Sequence, residues 1–134
     1  MKPFPLTIVT PDGLQFEGQA EELIVRSASG YLGILAGHMN CVAPLGMGQA
    51  TVVVDGEKRY AACIGGMVLV ANGKVKLVPT TFEWAEGIDV KRAEASDNRA
   101  KAILADKDAS KTELKMAEAR LKRALIRKSV AGQK

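Results

Sequence analysis

The chain has 134 residues, 47% of them hydrophobic and 25% charged, which is typical of one globular protein and leaves no room for two large domains. No stretch approaches the roughly 18 apolar residues of a membrane span, and the first residues do not form a secretory leader, so we expect a soluble, unexported chain. Residues 1–87 carry six basic and eight acidic groups, whereas residues 88–134 carry thirteen basic and seven acidic groups. The second part is therefore a basic arm that favours a negatively charged partner.

Tight-turn dipeptides organise the first 87 residues. Asp12-Gly13, Asp55-Gly56 and Asn72-Gly73 each separate two short runs of strand-forming residues. Because Asp-Gly and Asn-Gly readily adopt the positive φ angles of tight turns, each pair predicts a β-hairpin. Residues 22–26 form a further strand-like run, and residues 74–78 alternate charged and apolar side chains. Turns at intervals of about 8 to 12 residues predict an antiparallel β-sandwich.

Beyond Gly87 the sequence is Ala-rich and strongly charged, which predicts two helices. We expect Asp89 to cap the start of the first helix, which should end before Asp106. Ser110 and Glu113 have the spacing of a capping box at the start of the second helix. Apolar residues recur at helical spacing, at Val90, Ala93, Ala100, Ile103 and Leu104 in the first helix and at Leu114, Ala117, Leu121, Ala124 and Leu125 in the second. The whole chain is therefore predicted to be α+β, with an antiparallel helical hairpin held by thin, Ala-rich contacts.

Arginines cluster at helical spacing on this arm. Arg120, Arg123 and Arg127 form a stripe on the second helix, and Arg92 and Arg99 share a face of the first. If the hairpin brings these groups together, their like charges repel one another unless an anion lies between them. Guanidinium groups bind phosphate oxygens through two parallel hydrogen bonds, so the stripe fits a phosphate-bearing ligand. A solvated basic face is the alternative interpretation.

Neither a catalytic site nor a metal site is predicted. His38 is the single histidine, and no nucleophile motif lies near it. The Gly-rich residues 30–38 lack the spacing of a phosphate loop or a dinucleotide motif and are predicted to shape an exposed turn. Cys41 and Cys63 are predicted to be reduced and partly buried. A stand-alone ATP-hydrolysing enzyme is disfavoured because these motifs are missing, and a nucleic-acid-binding module because no aromatic residue is interleaved with the arginines.

Four segments carry a resemblance that spans essentially the whole chain. They are residues 8–13 (IVTPDG), 30–38 (GYLGILAGH), 64–66 (IGG, before a valine-rich strand) and 117–124 (AEARLKRA). In their order and spacing they resemble the epsilon subunit of a bacterial F-type ATP synthase. The resemblance implies a ten-stranded β-sandwich over residues 1–87 that docks on the rotor, and a regulatory hairpin over residues 88–134. Such a chain is a non-catalytic part of the central stalk, peripheral on the cytoplasmic face of the bacterial cell membrane.

The resemblance also implies two sets of protein contacts. Residues 30–38 would lie near the c-ring and the gamma subunit, with Tyr31, Leu32 and His38 as candidate contacts, although many relatives have an acid where this chain has Tyr31. The hairpin would either rest on the sandwich or extend between the alpha and beta subunits of the F1 head, where it blocks ATP hydrolysis. In the extended position, Arg120, Arg123 and Arg127 would meet acidic loops of the beta subunits. Membrane association would arise only through the complex, and no nucleic acid is involved.

A motif at the joint implies a regulatory ligand. Residues 88–93 (IDVKRA) match the Ile/Leu-Asp-x-x-Arg-Ala motif with which some bacterial epsilon subunits bind ATP. The implied ATP contacts are Glu83, Ile88, Asp89, Arg92, Ala93, Arg99, Arg123 and Arg127. The residues at 88, 89 and 93 would meet adenine or ribose and the arginines would meet phosphates, so that ATP holds the hairpin in its folded, permissive state. The alternative is the same rotor subunit without ATP sensing, in which no cofactor is required and the motif serves only for capping and surface pairing.

Overall fold

The computed structural model describes residues 2–132, and its first part consists of two five-stranded β-sheets. The strand order is β2-β1-β9-β8-β5 in one sheet and β10-β7-β6-β3-β4 in the other. The strands are β1 (Phe4–Thr10), β2 (Gly13–Ala20), β3 (Glu22–Ser27), β4 (Gly30–Ile34), β5 (Cys41–Pro44), β6 (Met47–Val54), β7 (Glu57–Ile64), β8 (Met67–Ala71), β9 (Lys74–Val78) and β10 (Thr81–Trp84). One hydrophobic core contains residues of both sheets. The expected ten-stranded sandwich is confirmed.

Alternating side chains build this core. Leu6 and Ile8 of β1 are at most 1% exposed, and Val75 and Leu77 of β9 are buried as well. Cys63 lies in the same core, and its burial raises the pKa of its thiol to about 12. Both cysteines of the chain are free thiols, as the sequence predicts.

One strand pair departs from the predicted antiparallel arrangement. β1 and β9 run parallel, with Leu6 beside Val75 and Ile8 beside Leu77. Parallel strands cannot be joined by a tight turn, so no turn dipeptide in the sequence reveals this pairing. Because the ends of parallel strands lie at the same edge of a sheet, the turn after β1, which contains Asp12, is brought close to Thr81 at the start of β10.

The predicted turns form at the expected places. At Asp55-Gly56 and at Asn72-Gly73 both residues have positive φ angles, 52° and 78° in each pair, which is the type I′ geometry of two-residue hairpins. The prediction for residues 30–38 is partly wrong. Gly30–Ile34 is strand β4, paired with β3, and the chain turns only after Ile34 because the strand's hydrogen bonds to β3 persist to that point.

Two helices follow a single 3₁₀ turn at Ala85–Gly87. Helix α1 covers Val90–Leu104 and helix α2 covers Lys111–Ala131. Both predicted N-caps are confirmed: the Asp89 carboxylate accepts a hydrogen bond from the Arg92 backbone N–H at 3.1 Å, and the Ser110 hydroxyl accepts one from the Glu113 backbone N–H at 3.1 Å. Within residues 2–132, neither helix combines the length and the apolar character that crossing a membrane would require.

The helices pack antiparallel through alanines. Ala93 and Ala100 of α1 and Ala117 and Ala124 of α2 are at most 2% exposed. Small side chains allow the two backbones to approach closely, so the buried face is narrower than the apolar stripes suggest. The predictions for Val90 and Leu125 are consequently wrong, since these side chains remain 42% and 48% exposed at the edge of the contact.

A second small cluster fixes the end of the hairpin to the sandwich. It contains Ala62 of β7, Ala85 and Ile88 of the joint, and Val130 and Ala131 of α2, with Tyr60 and Ile126 packed around it. The end of α2 therefore rests on the outer face of the second sheet, next to the start of the arm.

Candidate functional site

Two adjoining cavities lie where β10, α1 and α2 meet. The first, called here the mixed-charge cavity, has a volume of about 330 Å³ and is lined by Asp12, Thr81, Phe82, Glu83, Gly87, Asp89, Arg92, Ala93 and Arg127. The second, the arginine cavity, has a volume of about 350 Å³ and is lined by Thr81, Ser96, Arg99, Arg120, Arg123 and Arg127. Because Thr81 and Arg127 line both, the two cavities adjoin, and together they are called here the cleft.

The cleft collects seven of the eight residues that the resemblance assigns to ATP. Five of them line the mixed-charge cavity and three line the arginine cavity, with Arg127 common to both. Ile88 is the exception, because its side chain is 5% exposed and packs in the cluster with Ala62 and Val130. Its role in this structure is to anchor the joint rather than to line the cleft.

Helical spacing and antiparallel packing explain this convergence. Arg92 and Arg99 are seven residues apart, which is close to two helical turns, so both face the same side of α1. Arg120, Arg123 and Arg127 line the corresponding side of α2. Since the helices run in opposite directions, the start of α1 lies beside the end of α2, and each cavity receives side chains from both helices.

An ion pair joins the strand side of the cleft to the helical side. Nε of Arg127 lies 2.8 Å from Oε1 of Glu83. The contact has the distance of an ion pair but lacks the alignment of a hydrogen bond, and the Arg127 Nε has no other partner among the described residues. Both side chains are about 30% exposed, so the ion pair links β10 to α2 but contributes little to stability.

The electrostatics of the two cavities differ. The mixed-charge cavity is lined by three carboxylate residues, Asp12, Glu83 and Asp89, and by two arginines. The arginine cavity has four guanidinium groups and two hydroxyl residues, with no carboxylate among its lining side chains. Four like charges in one cavity favour an anion with several oxygens, whereas the neighbouring cavity favours hydrogen-bond donors.

Asp97 is a buried acid between the two helices that the sequence reasoning missed. It lies on α1 and is 2% exposed, and its Oδ2 is 3.1 Å from Nζ of Lys128 on α2 and 3.5 Å from Nζ of Lys101. The hydrogen bond from Lys128 holds the pKa of Asp97 below its ordinary value, although desolvation opposes it. A signal was present: Asp97 follows Ala93 by four residues and precedes Ala100 by three, which places an acid in the buried stripe.

The single tryptophan lies just outside the cleft. Its indole is stacked against the Arg59 guanidinium, 3.8 Å from the ring centroid, and meets Phe82 edge-on at 4.9 Å. Trp84 Nε1 also donates a hydrogen bond of 3.4 Å to the carbonyl of Gln15 on β2. Trp84 does not line either cavity, so it reports on the sandwich rather than directly on a ligand.

The predicted rotor contacts lie apart from this cleft. Tyr31 on β4 is 61% exposed and has the Arg26 guanidinium 5.4 Å from its ring centroid. Leu32 is half-buried against the core, and His38 is also half-buried, with Nδ1 2.8 Å from the Met39 carbonyl oxygen. The exposed Met39, at 76%, adds an apolar side chain that the sequence reasoning did not select. The segment therefore offers apolar and aromatic groups to a partner.

Two families match successive parts of the chain. The family described as "ATP synthase, Delta/Epsilon chain, beta-sandwich domain" matches residues 3–85, and the one described as "ATP synthase, Delta/Epsilon chain, long alpha-helix domain" matches residues 86–132. Among curated relatives, an ATP synthase epsilon chain of Ruminococcus albus is 42% identical over 135 residues, and one of Bacillus cytotoxicus is 41% identical over 134 residues. Each alignment covers 100% of both chains.

Solved structures show a similar fold at low sequence identity. A chain of the Euglena gracilis mitochondrial ATP synthase, in a structure of OSCP, F1 and c-ring, aligns with a TM-score of 0.82 and 21% identity, covering 98% of this chain and 82% of that one. A chain of the Tetrahymena thermophila mitochondrial ATP synthase, in a structure of central stalk and c-ring, aligns with a TM-score of 0.61 and 13% identity, covering 95% of both. At these identities the likeness concerns the fold alone.

Proposed function

This chain belongs to the delta/epsilon chain family of ATP synthases, as a non-catalytic subunit of the central stalk, and we propose that its basic hairpin makes it a nucleotide-regulated inhibitor of that enzyme. The sandwich, residues 1–87, docks on the gamma subunit and the c-ring, and residues 88–134 act as the regulatory unit. The chain reaches the cytoplasmic face of the bacterial membrane as a peripheral member of the complex.

The regulatory ligand is ATP, bound in the cleft between β10, α1 and α2. The observation that carries this proposal is the division of charge along the cleft. A cavity with three carboxylate residues and two arginines adjoins a cavity with four arginines and no carboxylate, which matches a nucleoside followed by a chain of phosphates. Asp89, Ala93 and Glu83 contact adenine or ribose, and Arg92, Arg99, Arg123 and Arg127 contact the phosphates.

ATP binding favours the folded hairpin because the cleft exists only in that arrangement. Its walls come from β10 and from both helices, so extension of the arm separates the groups that hold the ligand. A ligand that binds only one of two conformations shifts the population toward that conformation. When ATP is scarce, the arm extends into the F1 head, and Arg120, Arg123 and Arg127 contact acidic loops of the beta subunits.

The rotor interface is assigned to β4 and the turn that follows it. Tyr31, Leu32 and His38 are the proposed contacts with the c-ring and the gamma subunit. The exposure of Tyr31, and of Met39 directly after His38, supports this, because aromatic and methionine side chains are enriched in protein interfaces. None of these residues lines the cleft, although Tyr31 lines a further cavity together with Leu125 and Val130 of α2.

The first test is calorimetric titration of the full-length chain with ATP. We expect saturable binding in the wild type and a loss of affinity of about tenfold or more in Arg92→Ala, since a charged hydrogen bond to phosphate is removed. Lys91→Ala is the matched control, because Lys91 is an exposed neighbour on α1 that does not line the cleft. Absence of binding at cellular ATP concentrations would leave a rotor subunit without ATP sensing.

A further inference from the structure

Arg120 is a fourth guanidinium group in the arginine cavity, beside Arg99, Arg123 and Arg127. Arg127 is paired with Glu83, and Nε of Arg99 donates to the carbonyl of Ala95 on its own helix at 3.3 Å. Within residues 2–132, by contrast, Arg120 has no ion-pair partner and no hydrogen bond to a side chain. Its charge is therefore available to a ligand.

The charges of the lining residues differ between the two ends of the cleft. Among the lining residues of the cleft, carboxylates occur only in the mixed-charge cavity, where Arg92 and Arg127 accompany them. Thr81 and Arg127 stand at the junction, and the arginine cavity beyond them contains only Arg and hydroxyl side chains. This difference favours one orientation of a nucleotide, with its uncharged end toward the carboxylates and its terminal phosphate beyond the junction.

Arg120 lies at the far end of this path. Along α2 it is seven residues from Arg127, a distance of about 10 Å at the rise of an α-helix. On the antiparallel α1, Arg99 is likewise seven residues beyond Arg92. Arg120 is the lining residue of α2 that is farthest from the junction, so only the last group of a phosphate chain comes within its reach.

We propose that Arg120 contacts the terminal phosphate of the bound nucleotide and makes the cleft prefer a nucleoside triphosphate to the diphosphate. Ser96, on the facing helix, lines the same cavity and offers a hydroxyl to the same phosphate. The assignment rests on the proposed nucleotide site and adds its discrimination between ATP and ADP. Arg120 would then bind either the terminal phosphate or the F1 head, but not both at once.

The experiment measures the affinities of the full-length chain and of Arg120→Gln for ATP and for ADP by calorimetry. The expected result is a loss of ATP affinity of about tenfold or more, since one charged hydrogen bond to phosphate disappears. The affinity for ADP should change by less than about twofold, so the preference for ATP collapses. Far-ultraviolet circular dichroism verifies that the variant has the helical content of the wild type.

Lys122→Gln provides the matched control. Lys122 is an exposed residue of the same helix that does not line the cavity, so the change removes one positive charge without removing a contact. Both affinities should then remain near the wild-type values. Equal weakening of ATP and ADP binding by Arg120→Gln, or equal affinities of the wild type for both nucleotides, would overturn the role of Arg120 while leaving the nucleotide site intact. A wild type that binds neither nucleotide would instead refute the site itself, and this inference with it.

Discussion

Gly66 shows how one backbone position constrains the sandwich. It has a φ of 87°, and an added Cβ would collide with the carbonyl oxygen of Val78 and with the backbone of Pro79. Gly66 also accepts a hydrogen bond of 2.9 Å from the backbone N–H of Leu45. The IGG segment that helped to indicate the family is thus required by geometry, because only glycine adopts this φ without steric cost.

We predict that Gly66→Ala destabilises the chain by about 2 kcal/mol or more, because the substituted residue combines an unfavourable φ with a backbone collision. Denaturant unfolding followed by Trp84 fluorescence measures the change. Gly87→Ala is the control, since a Cβ there meets no atom within 4 Å, and it should alter stability by less than about 1 kcal/mol. Equal effects of the two substitutions would contradict this account of Gly66.

Individual side chains were predicted with unequal success, and the reason is the range of the interactions. Asp89 and Ser110 were found because a cap depends on residues three positions away. Asp97 was missed because its partner Lys128 is 31 residues distant and is identified only once the register of the two helices is known. Asp12 and Thr81 were missed because the parallel pairing of β1 with β9, which has no local signal, brings them together.

At the scale of the elements, the contact between Asp97 and Lys128 fastens α1 to α2. The folded-state pKa of Asp97 lies below its ordinary value, chiefly through the hydrogen bond from Lys128. A depressed carboxylate pKa stabilises the folded chain at every pH above the unfolded-state value, which is about 3.9, and this stabilisation is lost as the pH falls below it. The full stabilisation by this ion pair is therefore present at neutral pH.

We predict that Asp97→Asn lowers the melting temperature of the helices at pH 7, and that the difference from the wild type shrinks as the pH is reduced from about 5 to 3. Thermal unfolding monitored by circular dichroism at several pH values tests this. Asp108→Asn is the control, because Asp108 is exposed in the loop between the helices and its carboxylate forms no ion pair within residues 2–132. A difference between Asp97→Asn and the wild type that persists unchanged at pH 3 would exclude the ion pair as its cause.

The close approach of the two helices depends on small alanine side chains between them. Ala100 is fully buried between them, so Ala100→Leu must force the helices apart at a cost of about 1–3 kcal/mol. Limited proteolysis should then cut the hairpin faster than in the wild type, while Trp84 fluorescence of the sandwich stays unchanged. Ala102→Leu adds the same side chain at an exposed position of α1 and should leave proteolysis unaffected. Similar rates of proteolysis for the two variants would show that packing of the alanine face does not limit separation of the helices.

At the scale of the whole molecule, the fold attaches a weakly held arm to a well-packed body. The sandwich has a continuous core drawn from both sheets, whereas the hairpin is held to it by one small cluster around Ile88 and Val130 and by the ion pair of Arg127 with Glu83. The division into a β-part and a helical part was visible in the sequence because composition and periodicity change at Gly87. The sequence did not reveal the cleft, since its walls come from the turn after β1, from β10 and from both helices, which only the folded chain brings together.

This asymmetry predicts what removal of the arm does. A chain ending at residue 87 retains every strand, so we expect it to fold and to assemble with the gamma subunit and the c-ring. ATP hydrolysis by the assembled enzyme should then no longer be suppressed when ATP is scarce, because the groups proposed to contact the F1 head are absent. Steady-state hydrolysis by complexes reconstituted with the truncated or the full-length chain measures the difference.

Truncation also exposes Ala62 and Tyr60, which α2 covers in the intact chain, so a second variant separates lost inhibition from poor assembly. The combined variant Arg120→Ala, Arg123→Ala and Arg127→Ala keeps the hairpin but removes the three charges of the arginine stripe. Loss of inhibition in both variants, with normal assembly, would trace inhibition to the arginine stripe. Inhibition retained by the triple variant but lost on truncation would assign it to the bulk of the extended helix, because steric blocking does not depend on these charges. Inhibition retained by both would place the inhibitory surface on the sandwich.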